Sequence, residues 1–224
     1  MVPVNPTYQP GLVDALRAAN PSTRLQAALA AGTHPDPGLV DALVARCAVE
    51  PDFYVRDMLT WALTRQPAQL TLPRLRTELE TGQAQARSQA LHTLSKIGDR
   101  GAWPAITRAL LRDADDEVAR SAWRAAVVLV PDGEQAGLAA ELVTQLGRGD
   151  RTVQLSLSRA LAALPDAAEA ALGPALASTD PAVRAHAKAT HQLLRDPDAA
   201  FDPDVEAARR IVALGPEWVE GAAC

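Results

Sequence analysis

Alanine and leucine recur in steps of three and four along most of the chain, which is the spacing of residues on one face of an α-helix. A polar turn that contains Asp, Asn or Pro precedes several of these apolar segments. An arginine follows the turn at positions 24, 56, 87 and 184, and Ala119 and Gln154 occupy the equivalent positions in two further segments. No stretch of useful length alternates apolar and polar residues, so the pattern predicts helices and no β-sheet.

The six equivalent positions, here called the slot, are separated by 32, 31, 32, 35 and 30 residues. Self-similarity at this period is typical of a solenoid, in which each unit buries its apolar face against its neighbours. Each repeat is predicted to contain a helix A before the turn and a helix B that begins near the slot. The predicted A helices span 11–19, 37–48, 68–80, 102–112, 135–147 and 167–177, and the B helices span 22–31, 53–65, 84–97, 116–129, 151–163 and 181–194.

The expected fold is all-α: a right-handed α-solenoid of about six two-helix repeats with a C-terminal capping helix. Residues 10–199 form the repeats, and residues 200–215 are expected to cap the last apolar face. Residues 1–9 are expected to be an N-terminal lead-in, and residues 216–224 a flexible tail.

The segments Asp180-Pro-Ala-Val-Arg-Ala-His-Ala187 and Asp52-Phe-Tyr-Val-Arg-Asp-Met-Leu59 resemble HEAT repeats in their short bacterial form. The resemblance extends over nearly the whole chain, and residues 50–65 followed by residues 85–98 also resemble uncharacterised actinobacterial HEAT-repeat proteins. In such repeats the turn Asp and the slot arginine form a ladder between successive units. The resemblance implies this structural role for Arg24, Arg56, Arg87 and Arg184.

The composition and motifs exclude several classes of function. The formal net charge is −5, which provides no overall attraction to nucleic acid or to an anionic membrane. No apolar run approaches the length of a membrane span, and the first residues lack the features of a signal peptide, so a cytoplasmic protein is expected.

Cys47 and Cys224 are expected to be free thiols. No catalytic motif, cofactor motif or metal-ligand pattern occurs, and His186 and His191 are poorly spaced for a shared metal, so an enzyme is less expected than a binding protein.

Positive charge concentrates in the B helices. From each slot to ten residues beyond it, these segments hold ten basic residues and one acidic residue, Asp57. B helices generally line the concave surface of such solenoids, and the fifth position after the slot is expected to face that surface. The ladder arginines are set aside, and so are Arg65 and Lys96, whose positive charge is favoured at the C-terminal end of a helix. The candidate binding residues of this groove are then Trp61, His92, Arg120, Arg124, Arg159, Lys188 and Asp57.

The aromatic residues divide into two expected groups. Phe53 and Trp123 are expected to pack in the core. Trp61 lies on the groove row and is a candidate anchor for a partner, because Trp is enriched in binding hot spots.

These features favour a non-enzymatic interaction or scaffold module that binds a protein partner, through an acidic segment, on the B-helix face. The alternative is a nucleic-acid-binding protein similar to the HEAT-like alkylpurine DNA glycosylases, with Trp61, Asp57 and Arg124 as the analogous residue types. The negative net charge is unfavourable for binding a duplex. A bilin-lyase-like chaperone is suggested by the repeat type alone, and no residue indicates a bilin site.

Overall fold

The computed structural model describes residues 10–196, which divide into two compact units at Pro131 and Asp132. Within the described residues every regular element is helical. The predicted all-α solenoid class is confirmed, because consecutive helices pair within each unit and successive pairs pack against one another. The predicted lead-in, capping helix and tail at 1–9, 200–215 and 216–224 lie outside the described residues, and the boundaries of the repeat domain remain a prediction.

The first unit consists of four repeats. Its B helices pack side by side in chain order, and its A helices form the adjoining layer. The helices are α1 (Pro10–Leu16), α2 (Pro21–Thr33), α3 (Val40–Cys47), α4 (Phe53–Thr64), α5 (Ala68–Thr81), α6 (Ala84–Ile97), α7 (Arg108–Leu111) and α8 (Asp116–Leu129).

The second unit contains two further repeats. In each repeat the A and B helices contact each other, and like helices of the two repeats pack together. The helices are α9 (Gln135–Val143), α10 (Arg151–Ala162), α11 (Pro165–Leu176) and α12 (Pro181–Arg195).

Polar side chains cap the starts of most B helices, as the turn pattern predicts. The Asp52 carboxylate accepts hydrogen bonds from the backbone N–H groups of Tyr54 and Val55 at the start of α4. Asn20, Asp115, Asp150 and Asp180 cap α2, α8, α10 and α12 in the same way. These bonds satisfy backbone donors that a helix start leaves unpaired, and they locate each B helix in the sequence.

The predicted single A helix over 102–112 is wrong. The chain forms a 3₁₀ turn over Arg100–Ala105, and the short helix α7 follows it. Pro104 lacks a backbone N–H, and Ile106 leaves helical geometry with φ −84° and ψ 87°. Thr107 then starts α7 by accepting a hydrogen bond from the Leu110 N–H at 3.3 Å.

A buried carboxylate connects the first two repeats. Glu50 is fully buried and receives Arg24 Nε and Nη2 from α2, each at 2.7 Å. Arg46 Nε and the Asp52 N–H also bind it, at 2.7 and 3.0 Å. Burial alone would raise the pKa of Glu50, but the hydrogen bonds from Arg24, Asp52 and Arg46 outweigh burial and lower it to about 2.

Glu50→Gln should destabilise the first unit by about 3 kcal/mol, because it leaves two arginines without their shared counter-charge. Urea denaturation of the full chain measures this loss. The matched control is Asp41→Asn, which removes an ion pair to Arg74 whose carboxylate side is 86% exposed and should cost less than about 1 kcal/mol. Equal losses for the two variants would show that the buried carboxylate has no special role.

A buried histidine connects the two repeats of the second unit. His186 Nδ1 accepts a hydrogen bond from the Gly147 N–H at 3.0 Å, so Nε2 carries the proton of the neutral ring. Nε2 lies 3.0 Å from both the Gln154 carbonyl oxygen and Ser158 Oγ. Burial lowers the pKa of His186 from 6.5 to about 4, although the hydrogen bond to Gln154 favours the charged form.

Lowering the pH from 6.5 to 4 should therefore destabilise the second unit. In the unfolded chain the His186 ring becomes protonated near pH 6.5, whereas in the folded chain it does so only near pH 4. As the pH falls between these two values, protonation increasingly favours the unfolded chain. The loss is up to roughly 3 kcal/mol, from the size of the pKa difference. Urea denaturation at a series of pH values measures it. His186→Gln keeps an acceptor and a donor but does not titrate, and its pH dependence should be flatter; an unchanged dependence would refute the role of His186.

Candidate functional site

Three successive B helices of the first unit enclose a pocket of about 380 Å³, within the size range of ligand-binding clefts. Four of the predicted binding residues, from three different helices, line it: Asp57, His92, Arg120 and Arg124. Its other lining residues, which the sequence did not single out as binding residues, are Phe53, Arg56, Ser88, Gln89, Glu117 and Ser121.

The three arginines of the pocket are held differently. Arg56 Nη1 donates to the carbonyl oxygens of Glu50 and Pro51, at 2.9 and 2.7 Å. Arg120 Nη1 pairs with Glu117 Oε1 at 2.5 Å, and its buried Nε has no hydrogen-bond partner. Arg124 Nη2 donates to Ser121 Oγ at 3.0 Å. The pocket therefore retains guanidinium donors that its own carboxylates do not use.

Two buried serines join α6 to α8 beside these arginines. Ser88 Oγ and Ser121 Oγ lie 3.0 Å apart, and each serine directly follows an arginine in the sequence. This repeated Arg-Ser pair was a signal that slot-based reasoning missed, because Arg120 is displaced by one position from its slot. Ser121 Oγ therefore contacts both Ser88 of the neighbouring helix and Arg124 of its own helix.

His92 stands between opposing charges. Partial burial lowers its pKa, the positive charges of Arg124 and Lys96 lower it further, and the Asp57 carboxylate opposes them. Partial burial likewise lowers the pKa of Arg124, and the positive charge of Arg120 acts in the same direction. The pocket is therefore an environment in which positive charge is incompletely compensated.

The aromatic residues depart in part from expectation. Trp123 is buried as predicted, and its Nε1 donates to the Leu111 carbonyl at 2.9 Å. The expectation that Phe53 packs in the core is wrong: it is 66% exposed and lines the pocket, because its position at the first residue of α4 points away from the packed face. Phe53 and its exposed neighbour Tyr54 meet edge to face, with ring centroids 5.6 Å apart.

Trp61 lies outside the pocket lining. It is 38% exposed, and its six-membered ring lies over Gly32 of α2, where a Cβ would come within 2.1 Å of it. Part of this side chain is thus committed to packing two B helices together. Arg159 on α10 and Lys188 on α12 are exposed residues of the second unit.

The four ladder arginines bind backbone carbonyls of the turn before their own helix. Arg24 contacts the carbonyls of Ala18 and Ala19, Arg87 that of Gly82, and Arg184 that of Ser178; Arg56 was described above.

Two of these arginines also reach the next repeat. The acid that each one binds is 26 residues further on: Glu50 for Arg24, and Asp113 for Arg87 at 2.9 Å. Neither acid is the capping Asp that the repeat pattern suggested. The carboxylates of Asp52 and Asp115 instead accept hydrogen bonds from backbone N–H groups of the helices that they cap.

Within residues 10–196, no three His, Cys, Asp or Glu side chains are grouped so that they could hold a metal ion. No helix in that range is long and apolar enough to cross a membrane.

Residues 40–127 match the family model of HEAT repeats, a range that covers α3 to nearly the end of α8 and includes the three helices of the pocket. No curated protein matches the chain.

Replacement of Arg124 should raise the pKa of His92, because Arg124→Gln removes a nearby positive charge that opposes ring protonation. Asp57→Asn removes the favourable carboxylate and should lower the pKa further. An NMR titration of the His92 ring in each variant measures both shifts. Shifts in the same direction would show that these two charges do not control His92.

Proposed function

We propose that this chain, in which residues 40–127 match HEAT repeats, is a non-enzymatic interaction or scaffold module. Its proposed partner is a protein, which binds through an acidic segment on the B-helix face. HEAT repeats generally mediate protein–protein interactions. The observation that supports this face is the pocket, which gathers Asp57, His92, Arg120 and Arg124 from three B helices.

The charge distribution supports an acidic partner. The chain as a whole is negative, but its B-helix segments, from the slot to ten residues beyond it, hold ten basic residues and one acidic residue, whereas the rest of the chain holds 12 basic and 26 acidic residues. A local positive surface on a negative protein attracts an acidic segment and repels it elsewhere, which favours one orientation of encounter. Trp61 would contribute its exposed part as an apolar contact, and Arg159 and Lys188 supply exposed positive charge on the B helices of the second unit.

Site-specific photo-cross-linking in the native host tests the face. A photoreactive residue at Gln89, on the pocket, should cross-link to a discrete protein that mass spectrometry identifies. The matched position is Leu70, an exposed residue on helix α5 of the A layer, and it should not cross-link to that protein.

The identified partner, purified, should then bind the full chain, and Arg124→Glu should weaken binding by about tenfold because it reverses a charge at the interface. Binding that is unaffected by Arg124→Glu, or cross-linking from Leu70 alone, would overturn the assignment of the face. Cross-linking of Gln89 to nucleic acid instead of protein would overturn the protein partner itself.

A further inference from the structure

The pocket carries a small excess of positive charge. Three guanidinium groups, from Arg56, Arg120 and Arg124, line it together with two carboxylates, from Asp57 and Glu117. One positive charge is therefore uncompensated while His92 is neutral. A single negative charge balances this pocket, whereas a dianion would leave an excess negative charge beside two carboxylates.

The donors that remain are suited to an oxyanion. Arg120 Nε is buried without a hydrogen-bond partner, and Arg124 has N–H groups beyond the one that binds Ser121. Guanidinium groups bind carboxylates through short, charge-assisted hydrogen bonds that are about twice as strong as neutral ones. A carboxylate is the monoanionic oxyanion that proteins carry on their side chains.

An apolar surface adjoins these donors. Phe53 lines the same pocket, and the ring of Tyr54, which is 73% exposed, meets the Phe53 ring edge to face. Two neighbouring exposed aromatic rings at a helix start present apolar area that the first unit itself does not cover. Exposed aromatic area beside a polar pocket is the composition of a binding hot spot.

We propose that this pocket binds one Glu or Asp carboxylate of a partner segment through Arg120 and Arg124, while an apolar side chain next to that residue packs on Phe53 and Tyr54. The proposal rests on the proposed function, and it specifies the recognised motif as an acidic residue with an apolar neighbour. A phosphorylated residue is disfavoured because its second negative charge faces Asp57 and Glu117.

Four synthetic peptides test the recognition chemistry on the full chain. They are acetyl-Leu-Glu-Leu-amide, the same peptide with Gln or with phosphoserine in place of Glu, and acetyl-Gly-Glu-Gly-amide. Titrations followed by the NMR signals of the His92 ring report binding at the pocket. The Gln peptide should bind about tenfold more weakly than the Leu-Glu-Leu peptide, since a hydrogen bond to a charged group is lost.

Two variants assign the two halves of the motif. Arg124→Gln should abolish the preference for Glu over Gln, and Phe53→Ala should abolish the preference for Leu over Gly neighbours. Both side chains are exposed, so neither replacement removes core packing. The control is Arg65→Gln, which replaces an exposed arginine at the end of α4, outside the pocket lining, and should leave both preferences unchanged.

Equal affinities for the Glu and Gln peptides would overturn the carboxylate site, and tighter binding of the phosphoserine peptide would overturn the charge argument. Either result combined with partner cross-linking at Gln89 would refute only this inference. Peptide discrimination without any protein cross-linked at Gln89 would support the carboxylate site and count against the proposed function.

Discussion

The first unit depends on arginines that join one repeat to the next through buried or half-buried acids. Arg24 binds Glu50, which lies just after α3, the A helix of the next repeat. The same carboxylate accepts a hydrogen bond from the backbone N–H of the capping residue Asp52. Arg87, Asp113 and the N–H of Asp115 repeat this arrangement two repeats later. One contact therefore fixes both where the next B helix begins and how it lies against the previous one.

One side of the pocket is formed by a repeat that lacks a slot arginine. In the fourth repeat the slot holds Ala119, which is buried, and the arginine occupies position 120 instead. Displaced by one residue, the Arg120 side chain pairs with Glu117 within its own helix and lines the pocket. The loss of one structural arginine thus provides a cation for the surface.

Most helices were predictable because their causes are local. Asp caps, turn prolines and apolar spacing operate within a few residues, so the B helices begin within a residue or so of their predicted starts. The prediction of the fourth A helix was wrong because Pro104 and the non-helical geometry at Ile106 interrupt the helix, although the apolar pattern continues through them. The prediction that Phe53 is buried was wrong because an aromatic residue at the first position of a helix can point toward the core or away from it. The apolar pattern does not distinguish these two orientations.

The sequence by itself determined the fold class, the repeat period and the B helices on which Asp57, His92, Arg120 and Arg124 lie. These follow from periodicity and capping, which depend on near neighbours along the chain. Only the tertiary structure decided which acids the slot arginines bind, that Trp61 rests on Gly32, and that Ser88, Ser121 and Phe53 join the pocket. Those contacts join residues about thirty positions apart, and their partners depend on how adjacent helices rotate and pack rather than on spacing along one helix.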